Sequence, residues 1–310
     1  MSNLIQTVHS EKPIEDKEMT TDVFADSLGL RPGLASDVEP CARIVFNAFG
    51  AIAAQHNFPS DVPSIEVGTE LMTMLLTHPR FFSVVAELDG KIVGSNFLDE
   101  RSPVAGVGPI TVEPTIQNRG LGRRLMEAVL SRASERAHPG VRLLQSAYHG
   151  RSLALYTTLG FQVREGIACM QGSPIGLSLA SYPVRPAQEE DFEACDRICR
   201  FVHGHDRHGE LLDAVKLGTA KVVEHDGRIT GYATDFGFFG HAAAETTRDL
   251  IALVSSASAF TGPGILVPMR NASLFQWCLS HRLKVVQVLT LMTRGLYNEP
   301  AGAYLPSVLY

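Results

Sequence analysis

Two glycines, Gly120 and Gly122, stand at the mouth of an amphipathic run in the stretch EPTIQNRGLGRR (113–124). The first four N–H groups of a helix have no intrahelical partner, and the helix dipole adds about half a positive charge there. A helix start that a ligand can approach closely therefore holds phosphate. Glycine permits that approach. Two glycine-loop chemistries are excluded. A mononucleotide loop needs Gly-x4-Gly-Lys-Ser/Thr, whereas Arg123-Arg124 follows here with no hydroxyl placed for magnesium. A dinucleotide fingerprint needs a third glycine where Leu125 stands, in a β-α-β unit with an acid about 20 residues on. What remains is an anion cradle of another kind, or a plain turn.

Two further groups could carry chemistry. His203, His205, Asp206 and His208 have the content of a metal cluster, but without helical spacing or a distant fourth ligand they read as a polar loop. Cys195 and Cys199 lie four apart on an expected helix and read as half-buried small apolar residues.

The elements around the glycines follow from periodicity. A short strand at Leu30 leads to a helix through Cys41–Phe46, capped near Ser36-Asp37, and then a loop. Phe82–Leu88 and Lys91–Leu98 are strands joined by Asp89-Gly90, a strong hairpin signal. A strand over Val104–Val112 enters the glycine stretch, and Arg123–Arg136 puts Leu125, Met126, Val129, Leu130 and Ala133 on one helical face. A strand over Arg142–Ala147, a helix over Ser152–Leu159 ended by Gly160, and a closing strand from Phe161 complete the series.

Beyond residues 173–183, read as a linker, the order restarts. VRPAQEEDFEACDRICRF repeats LRPGLASDVEPCARIVF in kind, Asp226-Gly227 repeats Asp89-Gly90, and NASLFQWCLSHRL lies on HGRSLALYTTLGF without a gap. The simplest source is an internal duplication. The division expected is a flexible tail over 1–28, a first domain over 29–172, the linker, and a diverged second copy over 184–310. That copy has GHAAAETTRDLIALVSS where the glycine loop should be.

Composition limits the options. The 310 residues suit two domains. With 45% hydrophobic residues, 19% charged, and no apolar run near the roughly 18 residues of a span, a soluble cytoplasmic protein that does not engage membrane is expected. A formal charge of −6 argues against a general nucleic-acid partner. Five scattered cysteines suit reduced thiols rather than a disulfide framework. The N-terminal stretch lacks the pattern of a signal peptide.

ITVEPTIQNRGLGRRLMEAVL resembles motif A of the GNAT superfamily of N-acetyltransferases, and RSLALYTTLGF resembles its motif B, Leu-Tyr-x-x-x-Gly-Phe. The element order agrees from about Leu30 to Met170. The resemblance implies an α/β fold with a mixed central sheet flanked by helices, in two tandem copies of which the second is degenerate. It implies an acetyl-CoA-dependent N-acetyltransferase with no metal. Coenzyme binding would fall to Ile110, Thr111, Val112, Gln117, Asn118, Arg119, Gly120, Leu121, Gly122, Arg123, His149, Ser152 and Tyr156. His149 stands where many members carry an asparagine, and Arg124 also fits the phosphates electrostatically.

Tyr156 matches the motif B tyrosine that protonates the leaving thiolate, and a strand N–H near Ile110–Val112 would hold the oxyanion. The glutamate that members often carry on the fourth strand is absent from Ala105–Ile110. Glu113 leads the substitutes for a general base, followed by Glu87, Asp99, Glu100 and the terminal carboxylate of Tyr310. Gln55, His56, Asn57, Asp61 and Glu66 fall where members line the acceptor pocket, and the acids suit a cationic small-molecule or peptide amine. A monomer or homodimer is expected. The rival reading is a non-catalytic module that binds acyl-CoA or another small molecule.

Overall fold

The computed structural model describes residues 28–309. Tyr310 and the tail up to residue 27 lie outside them. Leu28 itself is not tail: it is buried and pairs with Leu88. The first half runs β1 (Leu28–Pro32), α1 (Val38–Gln55), α2 (Ile65–Thr77), β2 (Phe81–Leu88), β3 (Lys91–Asp99), β4 (Ala105–Val107), β5 (Thr111–Val112), α3 (Leu121–Glu135), β6 (Gly140–Ser146), α4 (Gly150–Thr158) and β7 (Gln162–Gln171). The second half runs β8 (Val184–Pro186), α5 (Phe192–His203), α6 (His208–Leu217), β9 (Lys221–His225), β10 (Arg228–Ala233), β11 (Ala242–Ala244), α7 (Thr247–Ser255), β12 (Ile265–Pro268), α8 (Ala272–Ser280), β13 (Lys284–Gly295) and β14 (Ala303–Leu305).

Side-chain alternation on the strands puts a core on each face of the first sheet. Val84 packs with Leu121, Leu125, Met126 and Val129 of α3, while Val85 packs with Cys41 and Val45 of α1 and Met72 and Leu75 of α2. The hairpin between β2 and β3 turns through Asp89 (φ 50°) and Gly90 (φ 74°), the two left-handed residues that a tight antiparallel turn requires.

Two expectations need correction. Helix α1 runs nine residues past Phe46 to Gln55, and a second helix, α2, replaces the expected loop. Its sequence IEVGTELMTMLLT conceals it, because Gly68 and three threonines lower helix propensity. Packing and capping override that. Ser64 caps the start, accepting from the Val67 N–H at 3.4 Å. The hydroxyls of Thr69, Thr73 and Thr77 each donate to the carbonyl four residues back, at 2.7–2.8 Å. A Cβ on Gly68 would come within 3.1 Å of the Ala42 carbonyl oxygen on α1, so glycine lets the two helices close. The expected strand over Val104–Val112 is likewise broken, into β4 and β5, at Gly108 (φ +129°) and Pro109.

The duplication is visible in detail. Arg31 donates to Asp37 at 2.7 and 2.9 Å, and Arg185 to Asp191 at the same two distances. Arg31 also reaches Glu87 at 2.9 Å, as Arg185 reaches Glu224 at 2.7 Å. Asp226 (φ 51°) and Gly227 (φ 74°) repeat the hairpin turn.

The halves are not laid side by side as separate sheets. One sheet runs β1-β2-β3-β4-β6-β13-β7-β12, with β5 also on β3, and the other runs β14-β11-β10-β9-β8. Strand β13, the second copy's counterpart of β7, lies on β6 of the first half, pairing Leu289 with Ser146 through Gly295 with Gly140. Reciprocally β7 lies on β12 of the second half, pairing Ile265 with Met170 through Pro268 with Ile167. The closing strand from Phe161 therefore pairs with two strands of the other copy, β13 and β12, and not with β6. Each half completes the other.

The expected polar loop around His203–His208 is instead buried polar core at this junction. His203, His205 and Arg207 are buried, and Arg207 pairs with Glu210 at 2.6 Å. Glu210 also accepts from Ser102 of the first half at 3.1 Å and lies 3.3 Å from the His241 ring. Such a pair has lost its hydration, and its several partners offset that loss. Cys195 and Cys199 are fully buried rather than half-buried.

Candidate active site

Strands β4 and β6 are parallel only at Ala105–Val141 and Gly106–Arg142. Beyond that point the chain leaves through Gly108-Pro109, and β5 pairs with β3 through Thr111 and Val112. Among the described residues the other edge of β5 carries no strand, nor does the facing edge of β6 over Leu143–Ser146. The two edges form the walls of a cavity of about 730 Å³. A wedge with backbone donors and acceptors on both sides can take an extended amide-bearing chain as though it were a strand.

The inner end of the wedge meets the start of α3. Gly120 occupies the N-cap position with φ +80° and no side-chain cap, and the first N–H groups of α3 open toward the cavity wall formed by Gly120, Leu121 and Gly122. Among the described residues no side chain caps them. The loop before it is fixed at three points. Gln117 Nε2 donates to the Val112 carbonyl at 3.1 Å, and Arg151 donates to Asn118 Oδ1 at 2.9 Å and to Gln117 Oε1 at 3.4 Å. Arg123 donates to Thr158 at 2.7 Å and keeps its guanidinium on the cavity wall.

Of the residues expected to bind coenzyme, Ile110, Thr111, Val112, Gln117, Asn118, Gly120, Leu121, Gly122, Arg123, His149, Ser152 and Tyr156 all line this cavity. Arg119 and Glu113 are not among its lining residues. Arg124 turns away to the Leu28 carbonyl at 3.1 Å. The Ser152 hydroxyl lies 3.0 Å from Gln145 Oε1 and 2.8 Å from the His149 carbonyl and shares its one proton between them. The Gln145 amide nitrogen and the His149 Nε2 are then buried without a hydrogen-bond partner among the described residues. Buried polar atoms left in this way are costly, and both belong to the cavity wall. Burial, with Arg151 nearby, holds the His149 pKa below the usual histidine value. Tyr156 is 7% exposed, its ring 6.2 Å from Phe161, and burial keeps the phenol protonated well above its ordinary range.

Of the expected acceptor residues only Asp61 lines the cavity; Gln55, His56, Asn57 and Glu66 do not. His56 lies 5.2 Å from the ring of Tyr148, itself a wall residue, on which Phe58 stacks at 4.4 Å. Sequence reasoning missed the walls supplied by α2 (Val67, Glu70, Leu71, Met74) and by the second half (Phe238, Phe239, Leu289, Val308, Leu309). It also missed Arg151. A cation in the first turn of a helix opposes the dipole, and that anomaly could have marked it. Tyr310 lies outside the described residues.

The equivalent place in the second half is closed. Thr246 and Asp249 cap α7 reciprocally: the Thr246 N–H donates to Asp249 Oδ2 at 3.0 Å and the Asp249 N–H to Thr246 Oγ1 at 3.3 Å. Asp249 is buried, and Thr230 donates to its other oxygen at 2.5 Å. The donors at the start of α7 are thus taken by its own capping side chains, and Cys278 stands where the first copy has Tyr156. We therefore expect one coenzyme A per chain by calorimetric titration; two equivalent sites would contradict this division.

Among the described residues no helix is long and apolar enough to cross a membrane. A family model for the acetyltransferase (GNAT) family matches residues 53–161. No curated protein matches the chain. Among solved structures, a candidate acetyltransferase from Pyrococcus horikoshii is 17% identical, with 97% of each chain covered and a TM-score of 0.70. A GCN5-related N-acetyltransferase from Sphaerobacter thermophilus is 15% identical over 89% of this chain and 98% of its own, with a TM-score of 0.60. A tandem GNAT protein from the clavulanic acid biosynthesis pathway is 13% identical over 86% and 98%, with a TM-score of 0.55. At these identities the structures establish the fold, a mixed sheet flanked by helices in two copies. The family match takes in the glycine loop and the Tyr156 helix, so residues 53–161 match the acetyltransferase (GNAT) family, and the fold of the whole chain is shared with these structures, its second copy lacking the loop.

Proposed function

We propose that the chain is an N-acetyltransferase that uses acetyl-CoA as cosubstrate and a primary amine as acceptor. The observation that carries this reading is the continuity of one cavity. The open edges of β5 and β6, the uncapped start of α3 and the Tyr156 phenol all line the same space. Acetyl-CoA would supply the thioester. The N–H groups at Gly120–Gly122, with Arg123, suit its pyrophosphate, and the facing strand edges suit its pantetheine amides. The orphaned nitrogens of Gln145 and His149 are further donors for the same chain of amides and phosphates. Donation from a strand N–H near Ile110–Val112 would stabilise the oxyanion.

Tyr156 is assigned the leaving group. Its phenol holds its proton through the neutral range, so a hydrogen bond to sulfur is available before the C–S bond breaks and strengthens as negative charge collects there. Glu113 stands one residue beyond Val112, the last wall residue of β5, and is assigned no step. Tyr156→Phe keeps the ring and removes the donor. It is expected to lower kcat by about 10²- to 10⁴-fold with coenzyme affinity preserved, as read by thiol release and calorimetry. Wild-type turnover in this variant would return Tyr156 to a packing role.

A further inference from the structure

Charge is distributed unevenly on the cavity wall. Its arginines, Arg123 and Arg151, stand at the starts of α3 and α4, while its acids, Asp61 and Glu70, come from the segment after α1 and from α2. Glu70 is exposed, but Asp61 is not. Asp61 Oδ1 accepts a 2.6 Å hydrogen bond from Gln287 Nε2, a neutral donor on the exchanged strand β13. Gln287 is 2% exposed, and its own Oε1 has no hydrogen-bond partner among the described residues. One amide does not compensate a carboxylate withdrawn from water, and burial raises the Asp61 pKa to about 6. The other titratable groups near it are Tyr148 and Cys169, with His56 beyond Tyr148; none of them is a lysine or arginine. Among the described residues no lysine or arginine offsets its charge.

The surrounding wall is hydrocarbon. Phe49, Ile52, Val62, Leu71, Phe238 and Leu289 line the same cavity. Val67, Met74 and Phe239, also on its wall, are 38%, 36% and 43% exposed, so large apolar side chains from both halves stay partly open on one cavity. From this juxtaposition we infer that Asp61, held by Gln287 from the second half, captures the ammonium of the acceptor and takes its proton, and that the acceptor carries its amine on an apolar body.

This assignment rests on the acetyl-transfer reading above and names its acceptor class. The transfer balances. An N–H bond of the ammonium breaks as an O–H bond forms on Asp61, freeing the nitrogen lone pair. The C–N bond to the acetyl carbon then forms as the C–S bond breaks, the sulfur takes the phenolic proton of Tyr156, and the second proton shed by the acylated nitrogen restores the phenol. Low polarity favours the first step, because burial disfavours both the carboxylate and the ammonium and so brings their affinities for the proton together. The second half thus has a chemical part without binding coenzyme: it supplies Gln287 and the apolar wall of Phe238, Phe239 and Leu289.

The test compares 2-phenylethylamine and n-octylamine with spermidine and ethanolamine, by acetyl-CoA thiol release and by calorimetric binding of each amine to the full chain. The apolar amines are expected to be preferred by at least about tenfold in kcat/KM. Asp61→Asn, which keeps the shape and a hydrogen-bonding oxygen, is expected to cost about 10²- to 10⁴-fold in kcat/KM for 2-phenylethylamine. It should also abolish detectable binding of that amine while coenzyme affinity stays at the wild-type value. Gln287→Met, which removes the positioning donor, is expected to give a smaller loss in the same direction. Amine binding should persist in Tyr156→Phe, which separates capture from turnover. An Asp61→Asn enzyme as fast as wild type, or a preference for spermidine, would overturn this inference alone. Failure of every amine both to bind and to release thiol would overturn it together with the acetyl-transfer reading.

Discussion

Residues 28–172 expressed without the second half are expected to yield no monomeric protein that binds coenzyme A. Strand β7 contributes Ile167, Ala168, Cys169 and Met170 to the core, all fully buried, yet both of its neighbours in the sheet, β13 and β12, belong to the second half. Strand β6 likewise loses β13 along Gly140–Ser146. The truncated chain would expose a long apolar edge on each of two strands, a template for association. The cavity would lose Phe238, Phe239, Leu289, Val308 and Leu309 from its wall. The C-terminal segment is close-fitting as well: a Cβ on Gly106 of β4 would lie 1.7 Å from the Leu309 carbonyl oxygen, so β4 and the segment are packed backbone to backbone. Insoluble protein, or an oligomer in which copies exchange β7, is the expected outcome of expression and size-exclusion chromatography. A soluble monomer with wild-type coenzyme affinity would show that β7 can fold back onto β6, and that the exchange seen here is not required.

That exchange marks the limit of what the sequence could tell. The hairpin at Asp89-Gly90, the amphipathic face of α3 and the restart at Val184 were legible because each is local: a turn that needs two left-handed residues, a 3.6-residue repeat, a recurring order. The open start of α3 was legible for the same reason. An uncapped helix preceded by glycine is written within a few consecutive residues. Which strand lies beside β6 is not written locally, since β7 and β13 are apolar strands of similar kind from two copies of one unit, and either could serve by pattern alone. The polar junction was hidden likewise. His203, His205 and Arg207 look like a hydrophilic loop until Glu210, itself held by Ser102, is found on Arg207 and the two histidines are found buried. Asp61 was read as one acid of several on a loop, and what separates it from Glu66 is a partner 226 residues away on β13. Helix α2 was obscured in the opposite sense, by a glycine and threonines whose local preference is weak and whose packing against α1 decides the matter.

Gly120→Asp is expected to lower coenzyme A affinity by about 10²- to 10⁴-fold while leaving the protein folded. The fold should survive because a Cβ at Gly120 meets nothing within 4 Å and because aspartate tolerates the left-handed region better than most residues, so the backbone penalty is of order 1 kcal/mol. The binding loss has a different origin. A carboxylate at the N-cap accepts from the first N–H groups of α3, as the Thr246 hydroxyl accepts from the Asp249 N–H at the start of α7, and so occupies the donors that a pyrophosphate would use. Each hydrogen bond to a charged group is worth about 1.5–3 kcal/mol, so losing two costs about 3–6 kcal/mol, or two to four decades in Kd. Repulsion between the new carboxylate and the phosphates adds to this. Gly120→Ala supplies the control, with at least as much backbone strain and no charge or acceptor, and should cost well under tenfold. Calorimetry on the two variants therefore separates strain from occupancy of the donors. Equal losses in Ala and Asp would mean that glycine is needed at position 120 for backbone conformation alone, and unchanged affinity in Asp would mean that the start of α3 does not hold the pyrophosphate.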